Sequence, residues 1–208
     1  MNKTRGYIAK PRKTKSRHLK RILLIKAEGR NETEKKYFHN FNSDKLVVRY
    51  CSGNETDPVN MMQQLIKEYQ KLDLLKTDMA VCLVDTDFDD KKDYQLAQAD
   101  SLVTKSGYNN LVMCTSSPCF EIWFMCHLGI PSRPYQNNKE VIGDMVQKFS
   151  DYRKSDANIY KKLAGLEEVA IKNAKRLENN CQEQGKKQHT VAFRNSTEVY
   201  KIFEKIIL

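Results

Sequence analysis

Four short apolar runs separated by helix-like stretches constrain the fold of this chain more than any other feature. They are Arg21 to Ala27 (RILLIKA), Lys45 to Cys51 (KLVVRYC), Met79 to Val84 (MAVCLV) and Asn110 to Thr115 (NLVMCT). Continuous apolar runs of this length read as strands buried on both faces, the pattern of a parallel sheet. The stretches between them have helical spacing. Thr33 to Phe41 turns Tyr37, Phe38 and Phe41 to one side. Pro58 suits a first helical turn and is followed by Met61, Met62, Leu65, Ile66, Tyr69 and Leu72. Lys91 to Ser106 carries Tyr94, Leu96, Ala97 and Leu102, with Gly107 placed to end the helix. Successive β-helix-β units with right-handed crossovers predict an α/β fold: a mostly parallel central sheet of about four strands with helices on both faces. With 208 residues there is material for one sizeable core.

The remainder reads as helical. Pro118 can open a helix, and the residues to Leu128 are apolar nearly all round apart from Glu121 and His127, so that helix is expected to be buried. Residues 129–137, with Gly129, Pro131 and Pro134, form an irregular connection. Helices are expected over Lys139 to Phe149, over Ile159 to about Asn180 with a break near Gly165, and over Thr197 to Ile207, with a polar loop at Gln182 to Gln188. This divides the chain into a basic arm (1–20), an α/β core (21–128) and a helical C-terminal extension packed on the core (129–208).

Charge is unevenly distributed. The formal net charge is +10, and residues 1–21 hold nine cations and no acid, which leaves only +1 for the other 187 residues. Such an arm suits a polyanion, because each phosphate it neutralises releases counterions; a solubilising tail accounts for it equally well. It lacks the apolar segment of a signal peptide, and no run approaches membrane-spanning length, so a soluble cytoplasmic protein is expected. Of the six cysteines, Cys51, Cys82 and Cys114 lie in or beside strand-like runs and Cys119 and Cys126 in the apolar helix. No CxxC pair occurs, and His18, His39, His127 and His189 have no ligand-like spacing to a cysteine, which argues for reduced core thiols and against zinc.

The chemistry concentrates where the third apolar run ends, in Asp85-Thr86-Asp87-Phe88-Asp89-Asp90. The carboxyl edge of a parallel sheet is where α/β proteins place their sites, and crowded carboxylates repel unless a cation or solvent relieves them. An EF-hand would need Gly in place of Asp90 and an acid in place of Leu96. An aspartyl-phosphate enzyme would carry its DxD after the first strand. A nucleotide-sugar DxD and a solvated helix-capping turn both stay open. Glu28 follows the first strand, and a doubly wound sheet brings that strand's end close to the third's. Alternation along an extended segment would point Asp85 and Asp87 the same way, toward one hard cation, Mg²⁺ or Mn²⁺ rather than Zn²⁺. Glu121 either joins a metal shell, orients a water or makes a structural hydrogen bond. His127 reads as a satisfied core histidine and Trp123 as core.

Glu28-Gly29 with Thr33-Glu34-Lys35-Lys36-Tyr37-Phe38, then Asp85-Thr86-Asp87, then Ser117-Pro118-Cys119-Phe120-Glu121-Ile122-Trp123, together resemble the RloB-like proteins of bacterial and archaeal defence loci. Tyr152-Arg153-Lys154, the Ala170 to Leu177 helix and Asn195-Ser196-Thr197-Glu198-Val199-Tyr200 follow in the same order. The resemblance thus spans nearly the whole chain beyond the basic arm. That family in turn resembles Toprim domains, the catalytic module of topoisomerases, bacterial primases and overcoming-lysogenization-defect nucleases. What it implies is a Toprim-like fold, with Glu28 as the Toprim glutamate and Asp85 and Asp87 as the metal-binding pair. Lys154 falls where it implies a basic residue that stabilises charge at a phosphate, and an ordinary surface lysine in a Lys-rich chain accounts for it equally well; Arg30, in the turn, could touch a phosphate or balance Glu28. The turn after Gly29 is a residue longer than usual, which leaves Glu32 and Glu34 without assigned roles, and Ser117 stands where Asn is more usual.

The expected function is metal-dependent hydrolysis of a nucleic-acid phosphodiester, with Glu28, Asp85, Asp87, Glu121 and Lys154 as catalytic candidates and Mg²⁺ or Mn²⁺ as cofactor. The resemblance implies a phage-defence effector paired with an ABC-type or AAA-type ATPase, since this chain has no Walker A motif. DNA, RNA and tRNA all stay open as substrates, as does a homo-oligomer. The alternatives are a non-catalytic Toprim-like subunit that docks on such an ATPase and, more weakly, another metal-dependent phosphotransfer such as primase-like synthesis.

Overall fold

The computed structural model describes residues 20–29, 32–131, 133–154, 156 and 158–208. The basic arm up to residue 19 and Arg30 lie outside the described residues. Strands β1 (Arg21–Lys26), β2 (Leu46–Tyr50), β3 (Met79–Asp85) and β4 (Leu111–Ser117) form the expected parallel sheet in the order β2-β1-β3-β4. Their residues alternate strictly between two cores. Leu24, Ala80, Cys82, Val84 and Met113 face helices α2 (Pro58–Leu72) and α3 (Lys91–Ser106). Leu23, Ile25, Val81, Leu83 and Cys114 face the other layer. That layer is built from α1 (Glu32–Phe38), α4 (Glu121–Leu128), α5 (Asn138–Lys148), α6 (Ile159–Leu163), α7 (Glu167–Glu183) and α8 (Tyr200–Ile202). All six cysteines are free and buried. No helix among the described residues is long and apolar enough to cross a membrane.

Local chemistry sets the helix ends. The Asp57 carboxylate accepts from Asn60 N at 2.9 Å with Pro58 at the first helical position, and Gly107 ends α3 at φ +71°. Gly165, at φ +85°, makes the anticipated break between α6 and α7. In α4 every residue from Glu121 to His127 is buried. His127 is a core histidine, as its setting in the sequence predicts. Its Nδ1 bonds Trp123 O at 2.9 Å and its Nε2 faces Tyr37 Oη at 3.3 Å, while Trp123 Nε1 donates to the same Tyr37 Oη at 3.0 Å. Burial pushes the His127 imidazole down to about 4, so it stays neutral.

The C-terminal segment departs from the expected single helix. Ser196–Thr197 forms a fifth strand, β5, antiparallel to β4, and only then do α8 and a short π-helical turn, Phe203–Ile207, follow. Two residues offer no periodicity to read; the pairing is dictated by what Glu198 finds on β4. Its backbone N donates to Thr115 O at 3.0 Å, and its carboxylate accepts from Thr115 N at 2.8 Å.

The segment just before β5 straps α3 to the sheet. His189 stands between two carboxylates, with Nδ1 2.7 Å from Asp100 Oδ2 and Nε2 2.8 Å from Glu198 Oε2. Val191 N donates to Asp93 Oδ1 at 2.7 Å, and the Arg194 guanidinium lies 4.9 Å from the centre of the Phe88 ring. Burial works to lower the His189 pKa, but Asp100 and Glu198 prevail and raise it to about 9. Burial likewise works to raise Glu198, yet His189 and Lys201 bring it to about 2.

Candidate functional site

The strand ends meet around one cavity. In the parallel register Lys26 of β1 sits beside Cys82 of β3, and Asp85 beside Ser116 of β4, so the residues just beyond β1 and at the end of β3 emerge at the same height. There a cavity of about 290 Å³ is lined by Glu28, Glu32, Glu34, Asp85 and Glu121 with Lys154. Gly29, at φ +56°, makes the turn that brings α1 back over the sheet, and its backbone N donates to Glu55 O at 3.1 Å. The buried side of α1 carries Thr33, Glu34, Tyr37 and Phe38, which sends the Glu34 side chain inward with the aromatic residues that anchor the helix. Glu121 occupies the first turn of α4, is 1% exposed, and accepts from Tyr152 Oη at 3.3 Å. Lys154 reaches the same cavity from an exposed position after α5.

Asp87 takes a different course from the one alternation predicts. The strand ends at Asp85, Asp87 N donates to Pro118 O at 2.9 Å, and Asp87 adopts φ +50°, a left-handed conformation that Asp tolerates. Extended alternation therefore stops before Asp87, which does not line the cavity. Its carboxylate is instead held on both oxygens. Lys92 Nζ donates to Asp87 Oδ2 at 2.7 Å, and Asn138 Nδ2 donates to Oδ1 at 2.8 Å. The same Lys92 ammonium donates to Glu28 Oε1 at 2.8 Å and to the Asp85 backbone O at 2.6 Å. Asn138 Oδ1 is buried with no partner among the described residues. Further along the acid run, Asp89 and Asp90 are exposed, and Asp89 Oδ1 accepts from the backbone N of Lys91 at 3.0 Å in the turn that leads into α3.

Electrostatics sort the acids. Burial raises Asp85 well above the ordinary carboxylate range, and the charges of Glu34, Glu28, Glu121 and Asp87 add to it. Glu34 is pushed up to about 7, by burial first and then by Glu121 and Glu28, against the pull of its own backbone amide and Lys154. Glu28 is raised by burial despite Lys92. On the cations, burial works downward, but the carboxylates keep Lys92 and Lys154 above the usual lysine value. Among the described residues no group of three or more His, Cys, Asp and Glu is arranged to hold a metal ion as it stands.

Of the residues singled out in the sequence, Glu28, Asp85, Glu121 and Lys154 share the cavity, and Asp87 lies beside it, tied to Glu28 through Lys92. Glu34 lies in one of the family-like segments but has no assigned role there, and Lys92 and Asn138 lie in none of them; two of the three leave traces. Glu34 is an acid on the apolar face of an amphipathic helix. Lys92 is a cation in the first turn of α3, where the helix dipole disfavours positive charge unless nearby acids compensate.

A mostly parallel α/β sheet with carboxylates gathered at the carboxyl edge of its strands defines an α/β protein with a polar, acidic site. The chain belongs to the RloB-like protein family, whose sequence profile matches residues 23–206. No curated protein and no solved structure matches it.

Proposed function

We propose that this chain is a Toprim-like phosphodiesterase that hydrolyses nucleic acid with the help of Mg²⁺ or Mn²⁺. The observation that carries the reading is the convergence of Glu28, Glu34, Asp85 and Glu121 on one cavity that Lys154 also lines. Such a set fits a hard divalent ion, because every donor is a carboxylate oxygen and the two most perturbed, Asp85 and Glu34, lack the positive charge that would let both ionise. When bound, the ion supplies charge neutralisation at the phosphate and acidifies a water.

The chain's own residues do the rest. Asp85, at the end of β3, and Glu34, on α1, would hold the ion, since both line the cavity. Glu28 lines the same cavity with one carboxylate oxygen bonded to Lys92. Glu121, steadied by Tyr152, would accept a proton from the attacking water. Lys154 meets the non-bridging phosphate oxygens as charge builds on them. The basic arm gives sequence-independent grip on the polyanion. The family resemblance adds an ABC-type or AAA-type ATPase partner and a role in phage defence.

The test is cleavage of labelled DNA, RNA and tRNA by purified protein with Mg²⁺ or Mn²⁺, with and without the neighbouring ATPase. Asp85→Ala and Glu28→Ala are expected to lower the rate by about 10³-fold, equivalent to roughly 4 kcal/mol of transition-state stabilisation. Absence of cutting under every condition removes the nuclease reading and favours the docking subunit. Cutting that survives both substitutions places the chemistry elsewhere.

A further inference from the structure

We propose that the Lys92 ammonium is the resident cation of the Glu28–Asp87 gap and stands in place of a second divalent ion, so that this chain binds one metal, on the Glu34–Asp85–Glu121 side. The inference rests on the metal-dependent reading above and specifies its stoichiometry. The geometry is that of an occupied cation seat. Lys92 Nζ has three N–H donors and three oxygens at 2.6–2.8 Å: Glu28 Oε1, Asp87 Oδ2 and Asp85 O. Every donor is used, so the ammonium has none left for substrate. A divalent ion needs oxygens at roughly 2.0–2.6 Å, and these are the oxygens it would take. Lysine and metal therefore compete for one place.

Three features keep the lysine there. Its side chain is only 12% exposed, and moving it out would leave Glu28 and Asp87 facing each other, partly buried, without a counter-charge. Asn138 donates to the other oxygen of Asp87, so swinging that carboxylate toward the cavity would break a hydrogen bond on each of its oxygens. The helix that carries Lys92 is fixed from behind, at Asp93 by Val191 and at Asp100 by His189. Among the described residues, no ammonium is hydrogen-bonded to the carboxylates of Asp85, Glu34 and Glu121 on the cavity side as Lys92 is to those of Glu28 and Asp87. Asp85, Glu34 and Glu121 line that side, and Lys154 approaches it from an exposed position.

Mn²⁺ titrated into the full chain, followed by calorimetry and by electron paramagnetic resonance of the free ion, reads the number of sites. One ion per wild-type chain is expected, one for Lys92→Arg, and two for Lys92→Met, in which Glu28 and Asp87 regain a place for a cation. Melting curves check that the variants fold, and Mn²⁺ is expected to raise the melting temperature of Lys92→Met more than that of wild type. Two ions in the wild-type chain overturn the inference whatever the variants do, and so does a single ion in folded Lys92→Met. No ion in any form removes the metal-dependent reading itself, a result distinct from both.

Discussion

Replacing His189 by alanine tests the strap across α3. Folded, the imidazole titrates at about 9 between Asp100 and Glu198; unfolded, it returns to its ordinary 6.5. A group whose folded pKa is raised contributes stability that is complete below the unfolded value and is lost as pH rises through the folded one. The window is therefore about pH 6.5 to 9. At about 1.4 kcal/mol per unit, the shift corresponds to roughly 3 kcal/mol of extra stability at pH 6, about 2 at pH 7.5 and under about 0.5 at pH 9. The His189 side chain is 17% exposed, so solvent screening does little to reduce these figures. The assay is thermal or urea unfolding of wild type and His189→Ala at intervals from pH 6 to 9. For a domain of this size the melting gap should be roughly 6–12 °C at pH 6 and should narrow steadily toward pH 9. A gap that does not change with pH would refute the ion-pair argument and leave His189 as a packing residue only.

Two further substitutions probe the acids of the cavity. Glu34 is raised from 4.5 to about 7, so its ionisation opposes folding, and stability is lost as pH climbs through that window. Glu34→Gln is thus expected to be more stable than wild type by roughly 3 kcal/mol at pH 8 without divalent ions, while gaining less from added Mg²⁺, as unfolding with and without the metal would report. Tyr152→Phe removes a hydroxyl that donates to buried Glu121 and should cost about 1–3 kcal/mol in urea unfolding, with the loss partly recovered when Mg²⁺ is present; an unchanged midpoint would mean that this hydrogen bond does not steady Glu121.

The sheet was legible in the sequence because four apolar runs, alternating with amphipathic helices, admit few other arrangements, and every one of them became a strand. So were Glu28 and Asp85, since strand ends in a parallel sheet share one edge. The relation of Asp87 to Asp85 was not legible. Spacing alone assumes that the backbone stays extended, whereas the hydrogen bond from Asp87 N to Pro118 O and the left-handed turn at Asp87 redirect its side chain. The partners that determine this, Lys92 and Asn138, lie five and 51 residues further along the chain, and only the folded arrangement puts both on the same carboxylate. β5 escaped notice for a related reason. It is long enough for pairing but too short for a pattern, and what fixes it is the buried Glu198 carboxylate bonded to β4.

Two buried glutamates at opposite ends of the titration range separate structure from chemistry in this molecule. Glu198 is 0% exposed and sits at about 2, because His189, Lys201 and Thr115 give its charge everything it needs. Glu34 is 9% exposed and sits at about 7, because burial disfavours its charge and the nearby Glu121 and Glu28 add to that more than Lys154 offsets. A fold that can satisfy one buried carboxylate so fully has the means to satisfy another. Leaving Glu34 and Asp85 in want of positive charge lowers stability, a cost that well-paired groups elsewhere in the fold, Glu198 among them, can offset. The energetic deficit at the cavity is the difference a divalent ion would remove on binding. That is why the unsatisfied cluster, rather than the well-paired one, is where catalysis is expected.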